Sequence, residues 1–234
     1  LLFVSATCVN VFAAPASGTS GDVSGEVAEA IEILSDIKWK AYVERYKNVE
    51  FYDGDDIFVD MSSVVFTPAT TDALSYEFDA NANIDGRACV ISPEAGTITF
   101  KVNVPETGLY AVRLDYYDLE CKATNIERTF RINGVVPFNE VRNLLLTKSW
   151  VDDYKYDENG NVIFAKDGSG NDRRPSKNQS SSWKAYDMAD PTGYSSDSFY
   201  FYLEAGENEI GFSGQKEPVA FSNIRLCKYE KKLT

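Results

Sequence analysis

The sequence TITFKVNVPETGLYAVRLDYY, residues 97–117, decides the fold. It is the first part of the longer stretch Thr97–Gly134, over which the same pattern continues. In its first part, apolar side chains stand at every second position before Pro105. A period of two predicts a strand with one buried face. The segment from Pro105 to Gly108 predicts the turn that ends this strand, because proline has no N–H for a sheet ladder and glycine accepts positive φ angles. The alternation resumes from Tyr110 to Tyr116, which predicts a second strand.

Similar runs recur along the chain. One ends at Asn133-Gly134, a strong hairpin signal. Others are Leu74–Asp79, Arg87–Ile91 and Phe199–Leu203. The run Phe199–Leu203 is apolar on both faces, which predicts a central strand. Strands separated by turns roughly every ten residues are typical of sandwiches. We therefore predict a mainly β fold, an antiparallel jelly-roll β-sandwich of about eight strands between Ile57 and Leu226. The predicted core contains Ile98, Phe100, Val102, Val112, Leu114, Phe130, Ile132, Phe201, Ile210 and Phe212.

Composition and charge exclude several functions. The 234 residues carry a formal charge of −13, which argues against nucleic acid and anionic membranes as partners because both are bound through clustered Lys and Arg. The chain has no histidine, so Ser-His-Asp and Cys-His nucleophiles and His-ligated zinc are excluded. A glycosidase requires two carboxylates across a cleft, and no acidic residue stands in a recognisable catalytic setting, so we predict no enzyme. Beyond the leader, Cys89, Cys121 and Cys227 allow either one bridge and a free thiol or three buried thiols.

Shifts in composition divide the chain into segments. Residues 1–16 predict the end of a secretory signal peptide, and residues 17–25 a Gly/Ser linker. Apolar residues spaced by three and four predict an amphipathic helix over residues 26–50. We expect this helix to pack on the edge of the sandwich, the alternative being a helix that docks a partner. Residues 51–230 are assigned to the sandwich, with a long insertion at 139–182. No apolar run after the leader is long enough to span a membrane.

The residue composition of the insertion predicts a ligand site there. It combines aromatic rings, which stack on the C–H faces of sugars, with amides and guanidinium groups, which bind hydroxyls. The predicted ligand-binding residues are Trp150, Asp152, Asn171, Arg173, Arg174, Trp183 and Tyr186. The alternative is that Trp150 and Trp183 only cover the sandwich, since large aromatic residues are highly buried on average.

Two charged features remain. Arg128 shares the inward face of its strand, and a buried guanidinium requires an anion, so we predict a structural ion pair with Glu217. The alternative is that Arg128 lies at the strand end and extends to water, which leaves Glu217 to accept ligand hydroxyls. The turn with Asp53, Asp55 and Asp56 has oxygen ligands that suit calcium but lacks the spacing of an EF-hand loop. No metal or cofactor is predicted, with calcium at this turn as the alternative.

The order of several short motifs resembles galactose-binding-like jelly rolls, the fold of many carbohydrate-binding modules. These motifs are VPETGLY (104–110), ING (132–134), LEAGEN (203–208) and IRL (224–226). Another ordered set is similar to the N-terminal region of large extracellular solute-binding proteins of bacterial ABC sugar-uptake systems. That set comprises IER (126–128), ING (132–134), PF (137–138), NDRRP (171–175), Trp183 and KEP (216–218), and the likeness covers roughly residues 38–229.

The resemblance implies a secreted or cell-surface protein of bacteria with carbohydrate as its partner. It implies a non-catalytic accessory region of an ABC transporter sugar-binding protein, which would meet the permease through a C-terminal region beyond Thr234. The alternative is a structural or protein-interaction β-sandwich without a sugar site, because a fold alone does not fix function.

Overall fold

The computed structural model describes residues 37–69, 74–122, 125–190 and 197–231. The signal peptide, the linker and residues 26–36 of the predicted helix lie outside these described residues. One α-helix, α1 (Trp39–Tyr46), precedes a series of strands. In chain order they are β1 (Ile57–Phe58), β2 (Asp60–Thr67), β3 (Asp79–Ile84), β4 (Arg87–Ser92), β5 (Thr97–Val104), β6 (Gly108–Tyr117), β7 (Asn125–Ile132), β8 (Leu144–Thr147), β9 (Trp150–Asp152), β10 (Lys155–Tyr156), β11 (Val162–Ile163), β12 (Lys177–Gln179), β13 (Trp183–Asp187), β14 (Tyr200–Leu203), β15 (Gly206–Lys216) and β16 (Val219–Cys227).

The strands form two antiparallel sheets that face each other. The five-stranded sheet has the order β2-β5-β15-β7-β8. The seven-stranded sheet has the path β13-β6-β16-β4-β3, with β14 also on β6 and β1 on β16. Rings from the two sheets meet between them, as where Phe212 stacks on Phe221 at 4.9 Å. The predicted mainly β, antiparallel sandwich is confirmed, although the described residues place twelve strands in its two sheets instead of about eight.

The core is the one that the alternating pattern predicts. Nine of the ten predicted core residues are buried, and Phe130 and Phe201 contact each other at 4.8 Å between ring centroids. The tenth, Ile132, is half-buried because β7 ends there. Asn133 and Gly134 then adopt φ angles of 50° and 79°, the two positive values that a tight hairpin turn needs.

The predicted central position of Phe199–Leu203 is wrong. Among the described residues, the resulting strand β14 pairs only with β6 and is an edge strand. Its outer side is apolar because α1 covers it: Trp39 contacts Tyr200 at 4.7 Å and Tyr46 stacks on Tyr202 at 4.6 Å. Within residues 37–50, the predicted helix is shorter than expected and ends at Tyr46, on the edge of the sandwich.

The predicted strand Leu74–Asp79 is also displaced. Residues 74–78 lie outside the strands, and β3 starts at Asp79. The reason is the turn at Asp85-Gly86, whose φ angles of 52° and 81° match a two-residue hairpin. This turn pairs Ile84 with Arg87 and thereby sets the register of β3 on β4.

Other described features bear on the sequence predictions. Cys89, Cys121 and Cys227 are free thiols, the first and last buried and Cys121 half-buried. Within residues 37–69, 74–122, 125–190 and 197–231, no helix is long and apolar enough to cross a membrane.

We expect stability to fall between pH 10 and pH 12. Burial raises the pKa of Tyr110 and of Tyr186 to about 12, whereas unfolded tyrosine ionises near pH 10. The folded state therefore keeps protons that the unfolded chain loses, so the stabilisation is complete below pH 10 and is lost as the pH rises to 12. Urea midpoints at pH 8, 10 and 11 should fall less steeply in Tyr186→Phe than in the unmodified chain. Equal slopes would contradict this assignment.

Candidate functional site

The insertion expected at residues 139–182 divides into two parts. Its first part forms β8, which pairs with β7 in the five-stranded sheet, and residues 150–179 fold back on themselves as a ribbon of the short strands β9–β12. β9 pairs antiparallel with β12, so the two ends of the ribbon lie side by side, with Trp150 opposite Gln179. Between them, β10 and β11 pair around Asn159-Gly160, a dipeptide that favours tight hairpin turns. A second tight turn follows immediately, closed by a bridge between Lys166 and Asp172.

The two turns of the ribbon are copies of one motif, Asp-x-x-Gly-Asn, at residues 157–161 and 167–171. In both, one aspartate oxygen accepts the backbone N–H groups two and four residues later, and the other oxygen accepts the asparagine side-chain amide. These hydrogen bonds lower the pKa of Asp157 and Asp167, because they stabilise the ionised carboxylates. The repeat gives Tyr154 and Phe164 equivalent positions, three residues before each aspartate.

Tyr154 and Phe164 form the apolar wall of an open cavity, which we call the cleft. Their rings meet edge to face at 6.4 Å, and the residues are 40% and 42% exposed. The cleft has a volume of about 380 Å³, and its remaining lining residues are Asp152, Asp172, Arg173, Arg174, Pro175 and Lys177. A neighbouring cavity of about 420 Å³ shares both rings and both arginines. Volumes of this size fall in the range that small ligands occupy.

The polar groups of the cleft differ in how they are satisfied. Asp152 forms an ion pair with Lys177 at 3.1 Å, and Asp172 forms one with Lys166. Among the described residues, no carboxylate pairs with Arg173 or Arg174, and both side chains are exposed. The cleft therefore presents two guanidinium groups beside two aromatic rings, a combination that binds hydroxyl or anionic groups on a ring-shaped ligand.

The structure brings together only three of the seven predicted ligand-binding residues: Asp152, Arg173 and Arg174 line the cleft. Asn171 instead closes the second turn by donating to Asp167, and Trp150 is a half-buried residue of β9. Neither is a lining residue of the cleft. Their roles in ligand binding stay predictions.

Trp183 and Tyr186 lie on opposite faces of β13, away from the cleft. Trp183 is on the outer face of the seven-stranded sheet, where its ring packs on Tyr117, Arg87 lies 5.3 Å above it and its indole N–H donates to Ile84 O. Tyr186 packs against the main core. These contacts agree with the alternative interpretation for Trp183, a ring that covers the sandwich.

Sequence reasoning missed the two rings that form the wall of the cleft, Tyr154 and Phe164. The missed signal is the repeat of Asp-x-x-Gly-Asn at an interval of ten residues. Taken alone, the first copy indicates a hairpin through Asn159-Gly160, and the second lies in a segment rich in Gly, Ser and Asn. When the two copies are aligned, Tyr154 and Phe164 occupy the same position, three residues before the aspartate of each copy. The alignment therefore identifies the two rings as a pair.

The predicted partners Arg128 and Glu217 are both buried, but the contacts found for them differ from the prediction. The Arg128 guanidinium donates to four backbone carbonyls, those of Ser92, Pro93, Glu127 and Lys216, at 2.8–3.2 Å. Glu217 is ion-paired with the buried Lys148 at 2.5 Å. Burial lowers the pKa of Arg128, while the charges of Glu94 and Glu217 act in the opposite direction. Four backbone carbonyls therefore accept the hydrogen bonds that the prediction assigned to a bidentate carboxylate. The carboxylates of Glu94 and Glu217 stabilise the guanidinium through their charge.

The acidic turn takes part in ion pairs with the last strand and the segment after it. Asp53 pairs with Lys228 at 2.8 Å and Asp56 with Arg225 at 3.3 Å. In the part of the chain that the structure describes, no group of three or more acidic or cysteine side chains is arranged to hold a metal. Calcium at this turn stays an untested alternative.

No protein-family model matches the sequence, and a search of curated proteins finds no match. The chain is similar to several solved structures, among them a family 35 carbohydrate binding module from Clostridium thermocellum, with 14% identity and a TM-score of 0.39 over 74% of this chain and 98% of the module. The GH26-CBM35 β-(1,4)-mannanase of Podospora anserina matches with 14% identity and a TM-score of 0.37 over 74% of this chain and 29% of the enzyme. The isomalto-dextranase of Arthrobacter globiformis T6 matches with 16% identity and a TM-score of 0.34 over 71% and 24%. All three TM-scores are below 0.5.

Proposed function

We propose that the chain is a non-catalytic carbohydrate-binding domain that holds a glycan in the cleft. The observation that carries this proposal is the exposed ring pair Tyr154 and Phe164 beside Arg173 and Arg174. Aromatic rings stack on the apolar faces of sugar rings, and planar guanidinium groups bind pairs of oxygen atoms. Each ring is followed in the sequence by a turn that its aspartate stabilises through three hydrogen bonds, and a pre-ordered ribbon would lose less entropy on binding.

The polar groups of the cleft favour binding over hydrolysis. A glycosidase needs one carboxylic acid that keeps its proton and a second carboxylate across the sugar. The carboxylates in the cleft, Asp152 and Asp172, are both exposed and each form an ion pair with a lysine, whereas the acid of a glycosidase lies in a less solvated setting. Both salt bridges are on the surface, where a sugar hydroxyl can replace the lysine.

We expect the two cleft rings to carry the affinity. In native gels that each contain one soluble polysaccharide (a mannan, a xylan, a dextran or polygalacturonate), the unmodified chain should be retarded in at least one gel. Tyr154→Ala and Phe164→Ala should each weaken that binding by about tenfold, or about 1.4 kcal/mol. The matched control is Tyr156→Ala, since Tyr156 is 60% exposed on the same hairpin but lies outside the cleft.

The outcomes separate the candidate sites and functions. Equal losses in Tyr156→Ala and Tyr154→Ala would show that the cleft is not the site. If Trp183→Ala alone abolished retention, the ligand would lie on the outer face of the seven-stranded sheet. No retention in any gel, together with no signal on a broad glycan array, would overturn the proposed function and favour a structural or protein-interaction domain.

We further propose that the domain is an accessory region of a secreted or cell-surface ABC sugar-binding protein. The support is the order of short motifs along the chain, from IER (126–128) to KEP (216–218). Extending the gene sequence past Thr234 tests this directly. A downstream two-lobed solute-binding region that could meet a permease would support it, whereas a downstream glycoside hydrolase domain would contradict it.

A further inference from the structure

Asp118 is a buried carboxylate at the end of β6, and its side chain is fully enclosed. One oxygen accepts the backbone N–H of Ser149 at 2.9 Å, and the other accepts that of Ser182 at 2.8 Å. Lys184 approaches the carboxylate at 2.7 Å. Two backbone donors and one ammonium group thus compensate the cost of burying this charge.

The two backbone donors are the entry and the exit of the ribbon that carries the cleft. Ser149 immediately precedes β9, and Ser182 lies between β12 and β13. A single side chain of the sandwich therefore holds both ends. Adjacent contacts strengthen the junction: the Ser180 N–H donates to Ser149 O at 2.8 Å, and the Gln179 side-chain amide donates to Asp118 O at 2.8 Å.

We propose that Asp118 is the positioning residue of the cleft. Its carboxylate holds the ribbon at one orientation on the sandwich, and the cleft rings then need no ordering when a glycan binds. The expected effect of Asp118 on glycan affinity rests on the proposed function, whereas its expected effect on the order of the ribbon does not. The charge is essential because a carboxylate accepts from all three donors, whereas an amide places an N–H group against one of them.

Hydrogen exchange tests the proposal without a ligand. In Asp118→Asn, amides of residues 150–179 should exchange at least tenfold faster, while those of β5, β7 and β15 change by less than twofold. A residue with a merely structural role would raise exchange in all strands together, because it would change global stability. Uniform acceleration, or unchanged exchange in residues 150–179, would overturn the proposal. The control is Glu207→Gln, which breaks the exposed ion pair with Lys101 at 2.8 Å and should change neither region.

A second variant and a measurement of glycan affinity complete the test. If Asp118→Asn fails to fold, Lys184→Met removes the cation and keeps the packed stem, and it should loosen the same residues more weakly. Affinity is then measured on the polysaccharide that retards the unmodified chain most, where Asp118→Asn should bind about tenfold more weakly with Tyr154 and Phe164 intact. If the unmodified chain binds no glycan, the proposed function fails while the exchange result still decides the role of Asp118.

Discussion

Phe130→Ala is expected to destabilise the protein by about 3–5 kcal/mol, since it removes a large ring from a closely packed interior. Phe130 is fully buried between the sheets, with Phe201 at 4.8 Å and Phe212 at 5.4 Å between ring centroids. A smaller side chain there loses the free energy of burial and leaves a cavity that the rigid strands cannot close. The loss is measured as the change in free energy of unfolding in urea.

The chain offers a matched control for this substitution. Phe58 lies in β1 with 59% of its surface exposed, so Phe58→Ala should change the free energy of unfolding by less than about 1 kcal/mol. If Phe130→Ala also cost less than about 1 kcal/mol, the assigned inward face of β7 would be wrong.

Glu217→Gln is expected to cost about 3–5 kcal/mol, because it leaves the ammonium group of Lys148 buried without its anion. The Lys148 side chain is fully enclosed and that of Glu217 is 7% exposed, with 2.5 Å between the charged atoms. At this depth water cannot replace the lost partner. The exposed pair of Lys101 and Glu207 is the comparison: Glu207→Gln should cost less than about 1 kcal/mol.

A double-mutant cycle identifies which cation depends on Glu217. Lys148→Met and Glu217→Gln should be coupled by more than about 1 kcal/mol, since they share one direct contact. Arg128→Met should itself cost about 3–5 kcal/mol, because four carbonyls lose their donor. Its coupling with Glu217→Gln should be smaller than that of Lys148→Met. A larger coupling between Arg128 and Glu217 would restore the pairing expected from the sequence.

Much of the fold could be predicted because the alternation of apolar and polar residues along a strand shows which of its faces is buried. In β5 each inward position carries an apolar residue and each outward one a polar or charged residue, so the pattern alone identifies the buried face. The same reasoning places Arg128 among buried residues, although a charged side chain is rare there. It failed at β14, since an apolar strand is equally compatible with the centre of a sheet and with an edge covered by α1.

The candidate site was predictable in location but not in composition. An insertion of this length with arginines and aromatic rings indicates a functional loop, and Asp152, Arg173 and Arg174 do line the cleft. Trp183 and Tyr186 lie near the insertion in sequence, yet β13 directs one to the outer face of the sandwich and the other to its core. Their placement follows from the pairing of β13 with β6, which is remote in the sequence.

By itself, the sequence determined the β-sandwich, the inward faces of its central strands and the segment that carries the candidate site. These depend on periodicity and turn residues, which act over a few neighbouring positions. Only the tertiary structure decided that Tyr154 and Phe164 meet, that Asp118 holds both ends of the ribbon and that Glu217 pairs with Lys148. Each of these contacts joins groups whose meeting depends on strand pairing and ribbon folding, and a local pattern carries no information about distant partners.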